Sequence, residues 1–68
     1  MNEETKMTPG EKLKKFRGKK TIREVADAVG VSESAYIKYE RGERNPSDPT
    51  KLKLAEYFGR SVGFIFFE

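Results

Sequence analysis

The 68-residue chain contains neither cysteine nor histidine. Without cysteine it has no disulfide framework and no thiolate metal site, a usage that fits a reducing cytosol. Without either residue, acid-base chemistry would fall to Asp, Glu, Lys or Tyr, and the carboxylates are spaced like helix-surface and capping residues. Phosphate-cradling glycine loops, nucleophile elbows and metal-ligand clusters are also missing. We therefore expect no enzyme, no cofactor, no metal and no small-molecule substrate. Apolar runs fall well short of the roughly 20 residues that span a bilayer, and the charged start MNEETKM lacks the apolar region of a signal peptide. The expectation is a soluble cytoplasmic protein with no membrane partner. Strand signals are poor, because the one β-prone run, FIFF, has no second strand to pair with. The chain has no internal repeat, low-complexity tract or linker.

What is present is charge and helix punctuation. The chain has 14 Lys and Arg against 11 Asp and Glu, a net charge of +3. That is a mild bias toward polyanionic partners. A chain this short forms one small domain with a modest core and no large cleft.

Residues 1–7 are polar and lack periodicity, so we read them as a flexible N-terminus ahead of a domain at 8–68. Thr8-Pro9-Gly10-Glu11 then starts a helix, with threonine as N-cap, proline in the first turn and glutamate completing a capping box. Leu13 and Phe16 give that helix a narrow apolar stripe, and Lys12 and Lys14 read as a solvated basic face. Gly18 ends it. The central stretch, TIREVADAVGVSESAYIKYERG, reads as two short helices joined by a tight turn. Thr21 caps the first, whose apolar positions are Ile22, Val25, Ala26 and Val29. Gly30 stops it, Val31 turns inward and Ser32 caps the next helix. There Ala35, Tyr36 and Tyr39 share the inner face, while Glu33, Ser34, Ile37 and Lys38 point elsewhere. So short a connection makes the two helices cross steeply, and Ala26 is small enough for a close approach.

A turn-rich loop, GERNPS, follows. Ser47 or Asp48 caps a fourth helix with Pro49 in its first turn and Leu52, Ala55 and Phe58 as its expected inner face. Ser61 caps a last short helix in SVGFIFFE. Its aromatic content exceeds what one turn can bury, so part of it should stay exposed and seek a partner.

The ordered set of features resembles one family. Ile22 to Arg41 resembles the helix-turn-helix of the Cro and cI-type (XRE-type, lambda-repressor-like) regulators, with alanine early in the first helix, glycine at the turn and hydrophobics at Val25, Val29, Val31, Tyr36 and Tyr39. GEKLKKFR resembles that family's first helix, YERGERNPS the end of its recognition helix and the loop beyond, and KLKLAEYFGRSVGFIFF its last two helices. The resemblance implies an all-α, compact five-helix DNA-binding domain with the helix-turn-helix at helices two and three. It further implies a sequence-specific transcriptional regulator of double-stranded DNA, of the prophage or mobile-element repressor kind. Such a protein acts as a homodimer on a pseudo-palindromic operator, with half-sites about 34–36 Å apart.

By this resemblance Glu33, Ser34, Ile37 and Lys38 face the bases. Phosphate contacts fall to Lys19, Lys20, Thr21, Arg23, Arg41, Arg44 and Asn45, three of which flank a helix N-terminus whose free amides favour an anion. Arg17 and Glu40 match a family ion pair between helices one and three, and Tyr36 and Tyr39 read as core. Phe64 and Phe67 are the expected dimer contacts. Many relatives begin the second helix with glutamine, where this chain has Ile22, which shifts phosphate anchoring to Arg23 and the lysines. A second reading is a protein-interaction module of the same fold, an antitoxin or an antagonist of another regulator, and Ile22 and Glu33 favour it.

Overall fold

Each of the five helices among the described residues begins on a hydroxyl. In the computed structural model, which describes residues 7–67, these are α1 (Pro9–Arg17), α2 (Ile22–Val29), α3 (Glu33–Arg41), α4 (Asp48–Phe58) and α5 (Val62–Phe66). The side chains of Thr8, Thr21, Ser32, Ser47 and Ser61 accept from the amides of Glu11, Glu24, Ala35, Thr50 and Phe64. Each cap satisfies an amide that the helix itself leaves unpaired and contributes about 1 kcal/mol. Thr8 closes the expected capping box, its own amide donating to Glu11 Oε1 at 2.8 Å. The expected flexible N-terminus lies outside the described residues except for Met7. The described residues contain no strand, and the expected all-α, five-helix arrangement is the one adopted.

The turn between α2 and α3 needs glycine. Gly30 sits at φ 75° and ψ 33°, the left-handed region, which lets the Val31 amide return to the Ala26 carbonyl at 3.0 Å. Ala26 is fully buried, and Val31 packs against the core. Around this unit α1 lies against α3, α4 against α2, and α5 against both α1 and α4. Leu13, Val25, Tyr36, Leu54 and Ile65, one from each helix, are fully buried.

Two expectations require correction. On α4 the inner stripe is Lys51, Leu54 and Ala55 with Phe58 half-buried, while Leu52 is 58% exposed. Positions 51, 54, 55 and 58 follow a helical repeat, and the aliphatic stem of Lys51 fills the slot that a hydropathy reading gives to Leu52. Lys12 is likewise not a solvated cation. It is 3% exposed and donates from Nζ to the Phe64 carbonyl at 2.6 Å, which ties α1 to α5.

Gly10 has its own packing reason. A Cβ on it would overlap the carbonyl oxygens of Tyr39 and Glu40, so α1 approaches the end of α3 backbone to backbone. Gly10→Ala should therefore destabilise the fold by about 1–3 kcal/mol despite alanine's better helix propensity, lowering Tm by about 4–8 °C per kcal/mol. Thermal melting followed by circular dichroism measures this. An unchanged or raised Tm would mean the helices are not that close.

Candidate nucleic-acid interface

The inner row of α3, Ala35, Tyr36 and Tyr39, is sealed into the core, which leaves the opposite side of the helix outward. Glu33, Ser34, Lys38 and Arg41 are exposed there, and Ile37 is half-buried. Both ends of the helix suit its dipole. Glu33 lies in the first turn and Lys38 and Arg41 in the last.

Upstream, residues 18–21 join α1 to α2. Lys19, Lys20, Thr21 and Arg23 are all exposed. The Thr21 oxygen accepts from the Glu24 amide at 3.0 Å, so its hydroxyl proton stays available to an anion at the helix start. Ile22 is half-buried against the core and presents no polar group at that position. Lys20 is held in part, with its ammonium 6.0 Å from the centre of the Tyr57 ring. Beyond α3, Arg44 and Asn45 are exposed and border a cleft of about 360 Å³ between the start of α1 and the α3–α4 connection.

One side chain ties these pieces together. Arg17 donates from Nε and Nη2 to the two carboxylate oxygens of Glu40, at 2.7 and 3.2 Å, and from Nη1 to the Lys20 carbonyl at 2.8 Å. The ion pair is mostly buried, with side-chain exposures of 18% and 8%. The expected pair between α1 and α3 is thus present, and its third hydrogen bond fixes the basic connection beside the end of α3, next in sequence to Arg41. That third bond leaves no signal in the sequence beyond the short spacing from Arg17 to Lys20. The hydrogen bond to Glu40, more than the carboxylate's charge at a distance, raises the Arg17 pKa further above its usual value. Beside the pair lies Tyr36, whose buried hydroxyl has no hydrogen-bond partner in the protein. Burial first, then the nearby Glu40 carboxylate, pushes its pKa far above the ordinary phenol value, so it stays neutral.

Of the two residues expected at a dimer contact, Phe67 is 69% exposed. Phe64 is half-buried, its ring 6.1 Å from that of Phe16 and 4.9 Å from Lys12 Nζ.

The helix-turn-helix family model matches residues 12–65, from the body of α1 to the end of α5. The chain belongs to the Cro/cI-type (XRE-type) helix-turn-helix family. Two relatives are similar to it. A prophage-derived HTH-type transcriptional regulator, YonR of Bacillus subtilis, is 38% identical over 58 residues, 82% of this chain and 54% of its own length. The CTXphi phage transcriptional repressor RstR of Vibrio cholerae is 42% identical over 36 residues, 53% of this chain and 32% of its own. The chain thus spans about half of one relative and a third of the other. No solved structure matches it. The helix-turn-helix of this member is α2 and α3, and the side chain that braces it, Arg17, comes from α1.

Removing that brace should be costly. Arg17→Ala leaves the mostly buried Glu40 carboxylate unpaired and is expected to lower stability by about 2–3 kcal/mol, between the ranges for exposed and fully buried pairs. Arg17→Lys keeps the charge but not the three-way geometry and should fall between the two. Urea denaturation reads both. Equal stability of all three proteins would remove the brace from the account.

Proposed function

We propose that this chain is a sequence-specific, double-stranded DNA-binding transcriptional regulator of the phage-repressor kind, which acts in the cytoplasm by occupying an operator rather than by catalysis. The observation that carries the reading is the division of α3. Its inner row is locked into the core by Tyr36 and Tyr39, and its outer row of Glu33, Ser34, Ile37 and Lys38 is left to a ligand that accommodates a whole helix. The major groove of B-DNA does so.

In this arrangement Lys38 donates to guanine O6 and N7, Ser34 bonds to either groove partner, Ile37 touches a thymine methyl and Glu33 accepts from cytosine N4. Lys19, Lys20, Thr21 and Arg23 hold phosphates at the α2 entrance, and Arg41, Arg44 and Asn45 hold them beyond α3. With Ile22 packed inward, anchoring at the entrance falls to the Thr21 hydroxyl, the free α2 amides and the basic side chains.

One helix reads too few base pairs for useful specificity, so a homodimer on a pseudo-palindrome is proposed, with half-sites about 34–36 Å apart. The C-terminal aromatic segment supplies its contact, Phe67 as free surface and Phe64 as the ring that seats the segment on Phe16. The two phage-derived relatives support a regulatory reading, one being named a transcriptional regulator and the other a transcriptional repressor. The second reading, an interaction module of the same fold, is favoured by the inward Ile22, which leaves the entrance without a polar anchor at that position.

Gel shifts with the DNA flanking the protein's own gene, and with random DNA as control, test the roles apart. Lys38→Ala should lose about 1–3 kcal/mol of discrimination at one base position while nonspecific binding holds. Arg44→Ala should weaken binding to every sequence and reduce the salt slope by about one. Equal losses on operator and random DNA for Lys38→Ala would sink its assignment, and absence of any shift at low salt would favour the interaction module.

A further inference from the structure

The cleft between the start of α1 and the α3–α4 connection is apolar inside and basic at its mouth. Leu13, Tyr39, Pro46 and Phe66 line a space of about 360 Å³, with Leu13, Tyr39 and Pro46 buried and Phe66 half-buried. Sites for small molecules occupy about 300–1,000 Å³. Two polar groups of the lining lack partners. Tyr39 is 7% exposed, yet its hydroxyl hydrogen-bonds to no atom of the described residues. A tyrosine so deeply set commonly finds a partner for its hydroxyl. At the mouth, the exposed Arg44 guanidinium pairs with no carboxylate among the described residues, and the exposed Asn45 amide follows it in the chain.

We propose that this cleft is a binding site for a small apolar carboxylate, a free acid with one ring or a short aliphatic chain. The lining chooses that class. Arg44 is its one cation, no acidic side chain opposes it, and a guanidinium meets a carboxylate with two parallel hydrogen bonds. The Tyr39 hydroxyl and the Asn45 amide add donors, while Leu13, Pro46 and Phe66 receive the apolar body. A neutral ligand leaves the guanidinium unused, and a phosphate ester sets a second charge over an apolar floor. Position gives the site a consequence. Arg44 is also a phosphate contact of the proposed function, and one guanidinium fork cannot hold a carboxylate and a phosphate together. Acid and DNA therefore oppose each other, each weakening the other by the same factor. That antagonism rests on the DNA-binding reading, whereas the site itself does not.

The test is a titration of the labelled protein with phenylacetate, without DNA, followed by amide chemical shifts. Gly10, Leu13, Tyr39 and residues 42–45 should move saturably, with half-saturation at about 1 mM. Acetate has the charged head without the apolar body, and phenylacetamide has the body without the charge. Each should bind about 10-fold more weakly or not at all. Tyr39→Phe keeps the ring and Arg44→Gln changes an exposed side chain, so both should melt as the native protein does. Phenylacetate should bind about 3-fold more weakly to Tyr39→Phe and about 10-fold more weakly to Arg44→Gln. If Tyr39→Phe melts lower, Arg44→Gln alone decides. No saturable change at the cleft, equal affinity for phenylacetamide, or native affinity in Arg44→Gln overturns the proposal. Gel shifts in phenylacetate, against the same concentration of acetate to equalise ionic strength, read the antagonism. The DNA half-saturation point should rise with phenylacetate for the native chain and stay constant for Arg44→Gln. Phenylacetate binding by a protein that shifts no DNA supports the site and sinks the DNA-binding reading, whereas unchanged DNA affinity at saturating phenylacetate overturns the antagonism alone.

Discussion

The arrangement of the molecule turns on the Arg17 guanidinium. Its planar fork meets both oxygens of Glu40 and has one donor left for the Lys20 carbonyl, so a single side chain fixes α1, α3 and the connection into α2. A lysine offers no such fork. The geometry works because Gly10 lets the other end of α1 lie directly on the last carbonyls of α3. Between Gly10 and Arg17, α1 acts as a rigid splint for the helix assigned to the groove. Preorganisation of this kind means that ordering entropy opposes binding less.

Surfaces divide accordingly. Basic side chains gather at the α2 entrance and past the end of α3, where the Arg17 clamp brings Lys20 close to Glu40 and hence to the start of the Arg41–Arg44 segment. The α4–α5 side instead exposes Leu52 and Phe67, with the Lys51 ammonium drawn onto the Phe66 and Phe67 rings.

Much of the fold was legible because its punctuation is local. A hydroxyl three residues before a helical amide, a glycine that alone tolerates the left-handed turn at Gly30, and Thr-Pro-x-Glu at the start of α1 each act within a few residues. The outward row of α3 was legible by subtraction from the buried tyrosines. What escaped depends on long side chains with two natures. Lys12 and Lys51 count as polar in any hydropathy pattern, yet their stems lie in the core and their ammonium groups end on the Phe64 carbonyl and the Phe66 and Phe67 rings. With Lys51 on the inner side of α4, Leu52 faces outward. The hydrogen bond from Arg17 to Lys20 escaped because a backbone carbonyl accepts without regard to its side chain.

The central claim is that the outer row of α3, with the basic positions on either side of it, is where DNA binds. Amide chemical shifts of the labelled protein, recorded as a duplex from the region flanking its own gene is added, test this most directly. The account predicts that the largest changes fall on residues 19–23, on Glu33, Ser34, Ile37 and Lys38, and on residues 41–45, with α5 little affected at half-site occupancy. Changes centred instead on α4 and α5, or none at low salt, would contradict it.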